Sequence, residues 1–466
     1  MTTTRASGAE IFRDRVAEAC ADGVPLGAYA DDHALHYLFL AAQGPYALSH
    51  RFDETRIAKA VSGACPALAW DEREMAQERA VHFEDLPDPR PFRWHDGAMP
   101  PAVVAHGSGL MHFVVGPVHA GIIEPGRFTF SSGGETLVHL DAQLGYSYRG
   151  VERALEGGSA AASAPKVARI CGGCSASHSF GYALALEALA GVRVCAEVDL
   201  ARLVIAELER IYNHVADLAA SSAGTGWGVG FARGMALKEE AMRLCAIAGG
   251  HRLLFDAVVP GGVAAFALDD RRRIAVEVVK LESHSERFVH ALFGNASVSS
   301  RWQNAGVLGR EIAHALGAVG PAHRASHGTV DVRTFAPYGA YRDLPARVAR
   351  ATGGDAMARC HVKRDELSES FRLIREALAL LGDAALPPPL ALRAGTGTAL
   401  ATVEGPRGAE TIALRIGAGG RLERFHLISA SYRNWPCVAR AMDDNIVPDF
   451  PLVNKSFNLC YACADR

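Results

Sequence analysis

The sequence predicts an α+β chain: mainly a helical bundle core, with small β domains near residues 100–150 and 395–430 and a small α/β segment at the N-terminus. Three observations carry that expectation. From Asp199 onward, Leu200, Leu203, Val204, Leu208, Ile211, Tyr212, Val215 and Leu218 recur at three- and four-residue steps, the spacing of one buried helical face. The stretch HFVVGPVHAGIIEPGRFTFSSGGETLVHLDAQLGY (112–146) instead alternates short apolar runs with Gly and Pro, and its SSGG reads as a hairpin turn. After the PPP at 387–389, ALATVEGPRGAETIALRIGAGGRLERFHLIS alternates with period two around GAGG, which predicts a second small sheet or hairpin.

Taken in order, residues 1 to about 95 form a mixed segment ending in FEDLPDPRPFRW (83–94), where three prolines and two aspartates stop any helix or central strand. A boundary near residue 98 follows, giving domains 1–97 and 98–466. Beyond the helix that begins near Asp199, ALKEEAMRLCAIAGGHRLLF, RRRIAVEVVKLESHSERFVHALF and RDELSESFRLIREALALLG extend the helical core. The glycine-rich GTGWGVGFARG from 224 follows a helix rather than a strand, so it reads as a loop and not as a nucleotide cradle. No internal repeat is present.

With 49% hydrophobic and 21% charged residues, the chain is expected to fold as a globular protein of two or three domains. A formal charge of -3 with interleaved signs offers no polybasic surface for nucleic acid or anionic lipid. No run approaches the ~20 apolar residues of a membrane-spanning helix, and MTTTRASGAEIFRDRV has no apolar signal core, so a cytoplasmic protein is expected.

Of ten cysteines, six (Cys20, Cys65, Cys195, Cys245, Cys360, Cys437) are isolated and four are paired. Cys171 and Cys174 lie in RICGGCSASH, and Cys460 and Cys463 in the final CYACADR. Two C-x-x-C pairs supply four soft thiolates, a set suited to zinc, an iron-sulfur cluster or nickel. Structural zinc sites bring their two pairs within ~12 to 20 residues; here 286 positions separate Cys174 from Cys460. A site joining the helical core to the far C-terminal segment is one the whole fold is built around.

RICGGCSASH and the terminal C-x-x-C-x-x-Arg resemble the two nickel-binding motifs of the large subunit of nickel-iron hydrogenases. GPVHAGIIEPGRF, LGYSYRGVE, ERIYNH, PGGV, DVRTFAPYGAY, VEGPRG and SYRNWP resemble the membrane-associated, energy-converting group of that family, which is related to the hydrogenase-like subunit of respiratory complex I. WDEREMAQERAVHFEDLPDPRP is similar to the end of the neighbouring peripheral complex I subunit, so the resemblance makes 1–97 a peripheral-subunit-like domain and 98–466 a large-subunit-like domain.

The resemblance implies that Cys171 and Cys460 bind nickel terminally, while Cys174 and Cys463 bridge it to an iron carrying cyanide and carbon monoxide. Splitting H2 heterolytically then needs a base, and Glu124 in IIEPG matches the family's proton-relay glutamate; a solvated strand residue is the competing account. Arg407 in GPRG matches the guanidinium over the open metal position, or is simply a turn residue beside Gly405, Pro406 and Gly408. His178 is expected to face a thiolate, with a satisfied core histidine as the alternative. Asn458 and Asn213 stand where many relatives have aspartates, which predicts an Arg407 with less compensating negative charge. Arg466 stands where the family commonly has histidine, which argues against the extra magnesium or iron site of some members.

The implied partners are an iron-sulfur small subunit resembling the cluster-carrying subunit of complex I, which holds the iron-sulfur clusters this chain lacks, and ion-translocating membrane subunits. H2 and protons are the implied substrates, and the implied place is the cytoplasmic face of an inner membrane. Two other readings stay open: a complex I-like, quinone-reactive NADH dehydrogenase-type subunit without nickel, and a structural subunit with a four-cysteine zinc site.

Overall fold

The computed structural model describes residues 8–93, 100–120, 123–264, 266–393 and 395–466. The expected boundary between residues 97 and 98 lies outside the described residues. The architecture is the expected mixture of helices and small separate sheets.

In the N-terminal segment, α1 (Gly8–Asp22) precedes an antiparallel meander of β1 (Val24–Ala30), β2 (Ala34–Ala41) and β3 (Gly44–Arg51). β4 (Ile57–Lys59) and β5 (His82–Glu84) pair in parallel, as a strand-helix-strand unit must, with α2 (Ala69–Arg79) as the crossover. Phe12, Val16, Tyr37, Phe39, Val61 and Met75 give this segment its own apolar core.

The first predicted strand region is a three-stranded antiparallel sheet, β6 (Leu110–Val115), β7 (Arg127–Gly133) and β8 (Thr136–Gln143). Its hairpin closes where Gly133 pairs with Thr136, and Gly134 takes the left-handed conformation (φ 66°) that such tight turns require. The short helices α3 (Val151–Leu155) and α4 (Ala164–Ala168) then lead to the first cysteine pair.

The helical core comprises α5 (Ser175–Ala190), α6 (Ala196–Gly224), α7 (Gly228–Gly249) and α8 (Leu268–Phe293); a two-rung ladder of β9 (Val258–Val259) and β10 (Gly262–Val263) separates the last two. Helices α9 (Ala296–Trp302), α10 (Arg310–Ala315), α11 (Gly320–Ala325) and α12 (Val332–Phe335) carry the chain to α13 (Ala356–Leu381). The glycine-rich run expected as a loop is one only over residues 225–227; from Gly228 onward it is helical, because Gly230 and Gly234 pack closely against Trp227 and Ala219. The second predicted sheet is β11 (Gly397–Gly405), β12 (Gly408–Ile416) and β13 (Leu422–Ile428), in that order, with GAGG linking β12 and β13. Last come α14 (Ala430–Ala441), α15 (Phe450–Phe457) and α16 (Tyr461–Asp465).

α6 is buried beyond its predicted apolar face. Arg202, Glu207, Glu209, Arg210, Asn213, His214 and Asp217 are all buried as well, because the helix runs through the centre with neighbours on every side. Each is matched by a partner: Arg202 by Glu187, Glu207 by Arg333 at 3.1 Å, and His214 by Glu366 at 2.8 Å. Among the described residues no helix is long and apolar enough to cross a membrane.

Candidate metal centre

The two cysteine pairs meet. One sulfur from each of Cys171, Cys174, Cys460 and Cys463 lies within 4.8 Å of the other three, and none is in a disulfide. Tetrahedral thiolate coordination with bonds of about 2.3 Å sets sulfurs roughly 3.8 Å apart, so small side-chain rotations bring this quartet onto one metal. Among the described residues the remaining six cysteines are elsewhere and also free.

Local structure explains each pair. Cys174 stands at the N-cap of α5, whose first amides point toward it. No side chain of α5 caps them; instead Glu209 of α6 accepts from the Ala176 amide at 2.7 Å and the Ser177 amide at 3.0 Å. Burial pushes the Glu209 carboxyl up to about 7 despite these bonds. The Cys-Gly-Gly-Cys loop is held from α6, where Tyr212 donates to Gly172 O at 3.0 Å and the Asn213 amide donates to Gly173 O at 2.8 Å. The second pair flanks the start of α16, with the Cys460 amide donating to Ser431 Oγ at 3.0 Å and Ser429 Oγ donating to Cys463 O at 2.9 Å.

The four sulfurs differ in how readily they ionise. Hydrogen bonds from Cys171, Cys174 and Cys463, with the field of Arg407, hold Cys460 well below the usual thiol range, whereas Cys174 and Cys463 are pushed up. Four sulfurs within 4.8 Å of one another, three of them on buried residues, do not all ionise unless positive charge joins them.

Every other sequence-predicted residue is also brought here. Arg407 occupies the turn between β11 and β12, as its turn reading expected, and it also reaches the cysteines: Nη1 lies 3.9 Å from Cys174 Sγ and donates to Asn213 Oδ1 at 2.9 Å. The turn is clamped by a close approach, since a Cβ at Gly408 would lie 2.6 Å from the Gly320 nitrogen. His178 is fully buried on α5, its Nε2 4.0 Å from Cys463 Sγ and 3.4 Å from Glu410 Oε2. Glu124 is exposed, as the solvated reading expected, yet its Oε2 accepts from the Ala462 amide between the second pair of cysteines at 2.8 Å.

Part of the negative charge that the two asparagines do not supply beside Arg407 comes from a residue that the sequence reading missed. Asp217 lies 3.6 Å from Arg407 Nη2 and accepts from the Asn458 side-chain amide. Burial pushes its carboxyl up, but Lys363 and Arg407 outweigh burial and hold it below its usual range. The two asparagines are thereby explained. Asn213 accepts from Arg407 with one end and donates to Gly173 O with the other, which a carboxylate could not do. Asn458 donates to Asp217 where an aspartate would repel it, and its carbonyl accepts from Arg407 Nε. The available signal was spacing, because residues 213 and 217 are four apart on one helix and share a face.

The chain is similar to known oxidoreductase subunits of two kinds. Residues 225–387 match the family model described as "Respiratory-chain NADH dehydrogenase, 49 Kd subunit". The chain is 27% identical to Hydrogenase-4 component G of Escherichia coli (strain K12), over 89% of this chain and 76% of the relative. It is 28% identical to the membrane-bound hydrogenase subunit alpha of Pyrococcus furiosus, over 75% of this chain and 86% of the relative. It is also 28% identical to an NADH-quinone oxidoreductase subunit of Herpetosiphon aurantiacus, over 76% of this chain and 97% of the relative. The relatives are oxidoreductase subunits of multi-subunit assemblies, and this chain is similar both to the respiratory-chain 49 Kd subunit and to membrane-bound hydrogenase subunits.

Proposed function

We propose that this chain is the catalytic large subunit of a membrane-bound, energy-converting nickel-iron hydrogenase that interconverts H2 with two protons and two electrons. The observation that carries this is the cage of four free thiols beneath a buried guanidinium. A quinone-reactive subunit without nickel has no use for either feature, and a structural zinc knuckle has no use for Arg407 or for a carboxylate tied to its ligand loop.

In this reading Cys171, Cys174, Cys460 and Cys463 would hold a nickel-iron centre whose iron carries cyanide and carbon monoxide, with Cys171 and Cys460 on nickel and Cys174 and Cys463 shared with iron, as the resemblance implies. When bound, the centre supplies low-potential chemistry through electron-donating thiolates. The chain's own residues do the rest. Arg407, charged at all pH values, aims a planar donor at the cysteine quartet from the β11–β12 turn. Glu124 lies against the second cysteine loop and is open to solvent, which suits a carboxylate that takes up a proton and releases it to bulk water. His178 packs against the Cys463 sulfur and orients it.

Electrons leave through an iron-sulfur small subunit, because all four paired thiols of this chain are committed to the centre. Ion-translocating membrane subunits complete the assembly, and the chain sits peripherally on the cytoplasmic face of an inner membrane. Residues 1–97 form a peripheral-subunit-like domain fused ahead of the large-subunit-like domain 98–466. The relatives support that fusion, since a match spanning 89% of the chain has to enter the N-terminal segment.

Metal analysis and infrared spectroscopy of the purified complex test the proposal. Expected are about one nickel per chain and absorption bands of bound cyanide and carbon monoxide. Zinc without those bands, or no metal in an assembly that reduces quinone, overturns it.

A further inference from the structure

Asp217 and Lys363 belong to neither cysteine pair and touch none of the four sulfurs, yet both are buried beside the site. Lys363 Nζ on α13 lies 2.7 Å from Asp217 Oδ2 on α6. The same ammonium donates to Ser456 O at 2.9 Å and to Phe457 O at 3.3 Å, the last carbonyls of α15 before Asn458 and Cys460. Asp217 Oδ1 meets the Asn458 amide and Arg407 Nη2, and Arg407 returns a bond to Asn458 O. A closed ring thus joins two core helices, the β11–β12 turn and the segment that delivers the second cysteine pair.

The charges of the ring do not cancel. Arg407 and Lys363 bring two positive charges and Asp217 one negative, all essentially out of water. Of the other ionisable groups facing Asp217, burial holds His214 of α6 toward its neutral form, and Lys238 of α7 stands farther out and partly exposed. In a water-excluded pocket one unmatched charge is felt strongly by nearby thiolates. We propose that Asp217 and Lys363 are a positioning pair: together they fix Arg407 and the 456–458 segment, and they set the surplus over the cysteine quartet at one positive charge. The proposal rests on the reading of that quartet as a metal site.

The full chain, loaded with cobalt(II) as a spectroscopic probe of thiolate ligation, tests this. The sulfur-to-cobalt charge-transfer band moves electrons off sulfur, so added positive charge beside sulfur moves it to higher energy and removed charge to lower energy. Asp217→Asn, which leaves two cations, is expected to shift the band up, and Lys363→Met, which leaves none in surplus, to shift it down. The Asp217→Asn/Lys363→Met double variant restores one surplus charge and returns the band toward its starting position, while Lys363→Arg leaves it in place. A merely structural role predicts that both single variants broaden or weaken the band alike and that the double variant is worst; that pattern overturns the proposal. Absence of any thiolate-to-cobalt band in the unaltered protein instead overturns the metal-site reading, and this proposal with it.

Discussion

Among the described residues three groups of side chains could hold a metal ion, and two of them, which share no residue, are electrostatic opposites. One is the cysteine quartet. The other is Glu74, Glu152 and His426, whose ligand atoms also lie within 4.8 Å of one another. In the second cluster the chain supplies its own cations. Arg466 pairs with Glu74 and lies 3.3 Å from Glu152, Arg93 lies 2.9 Å from Glu74, and Arg424 lies 3.3 Å from Glu152. Both carboxyls are held below their usual range: burial raises them, but the Arg466 charge on Glu74, and the His426 and Arg466 charges on Glu152, outweigh it. Among the described residues the cysteine quartet meets Arg407 at 3.9 Å from one sulfur and the His178 ring at 4.0 Å from another. A donor set becomes a metal site when its charge is left unmet, and ligand proximity alone does not decide it. Arg466, which the sequence reading set against an extra divalent site, places its guanidinium among those carboxylates.

The contrast can be broken or sharpened by experiment. The largest effect is expected from Cys460→Ser: nickel content falls to background and H2-dependent dye reduction drops by more than about 100-fold. Metal retained with full activity would sink the four-thiol site. Glu124→Gln is expected to keep both metals while slowing H/D exchange about 100-fold, the ordinary worth of a positioned proton acceptor; an unchanged exchange rate would return Glu124 to being a surface residue.

At the second cluster the effects are on stability. Arg466→Met leaves two buried carboxylates short of a cation and is expected to cost roughly 3 kcal/mol, read as a lower denaturation midpoint, with metal content at the cysteines measured alongside. Added magnesium or a chelator is expected to leave the unfolding midpoint of the unaltered chain where it is; a clear rise with magnesium would make the cluster a divalent site after all.

The smallest effect is a pH dependence. The folded-state value of Glu74 is lowered from 4.5 to about 2, so its contribution is present above the unfolded value and is lost as pH falls from about 4.5 toward 2. Unfolding curves of the unaltered chain and of Glu74→Gln are therefore expected to differ at pH 6 and to converge near pH 2.

Much of the centre was legible in the chain. Cys171, Cys174, Cys460 and Cys463 are conspicuous by spacing, GPRG marks Arg407 as a turn, and the step pattern from Asp199 marks α6. The polar side of α6 was not legible. Periodicity identifies an apolar stripe and assigns the remainder to solvent, but a helix enclosed on all sides buries both. Asp217 and Lys363 escaped for that reason, since each reads as an ordinary charged residue on the wet face of its own helix. The loop expected over GTGWGVGFARG failed similarly, because glycines that shorten a helix-helix contact look, in sequence, like glycines that break a helix.

By itself the sequence determined which thiols are paired, that the stretch from Asp199 is helical, and that a guanidinium sits in a tight turn, because those depend on neighbours a few residues apart. Only the tertiary structure decided that Asp217 faces Arg407, that Lys363 grips the segment before Cys460, and that Arg466 stands among two glutamates. Those pairings join residues tens to hundreds of positions apart, and burial makes each charge depend on whatever partner the fold delivers.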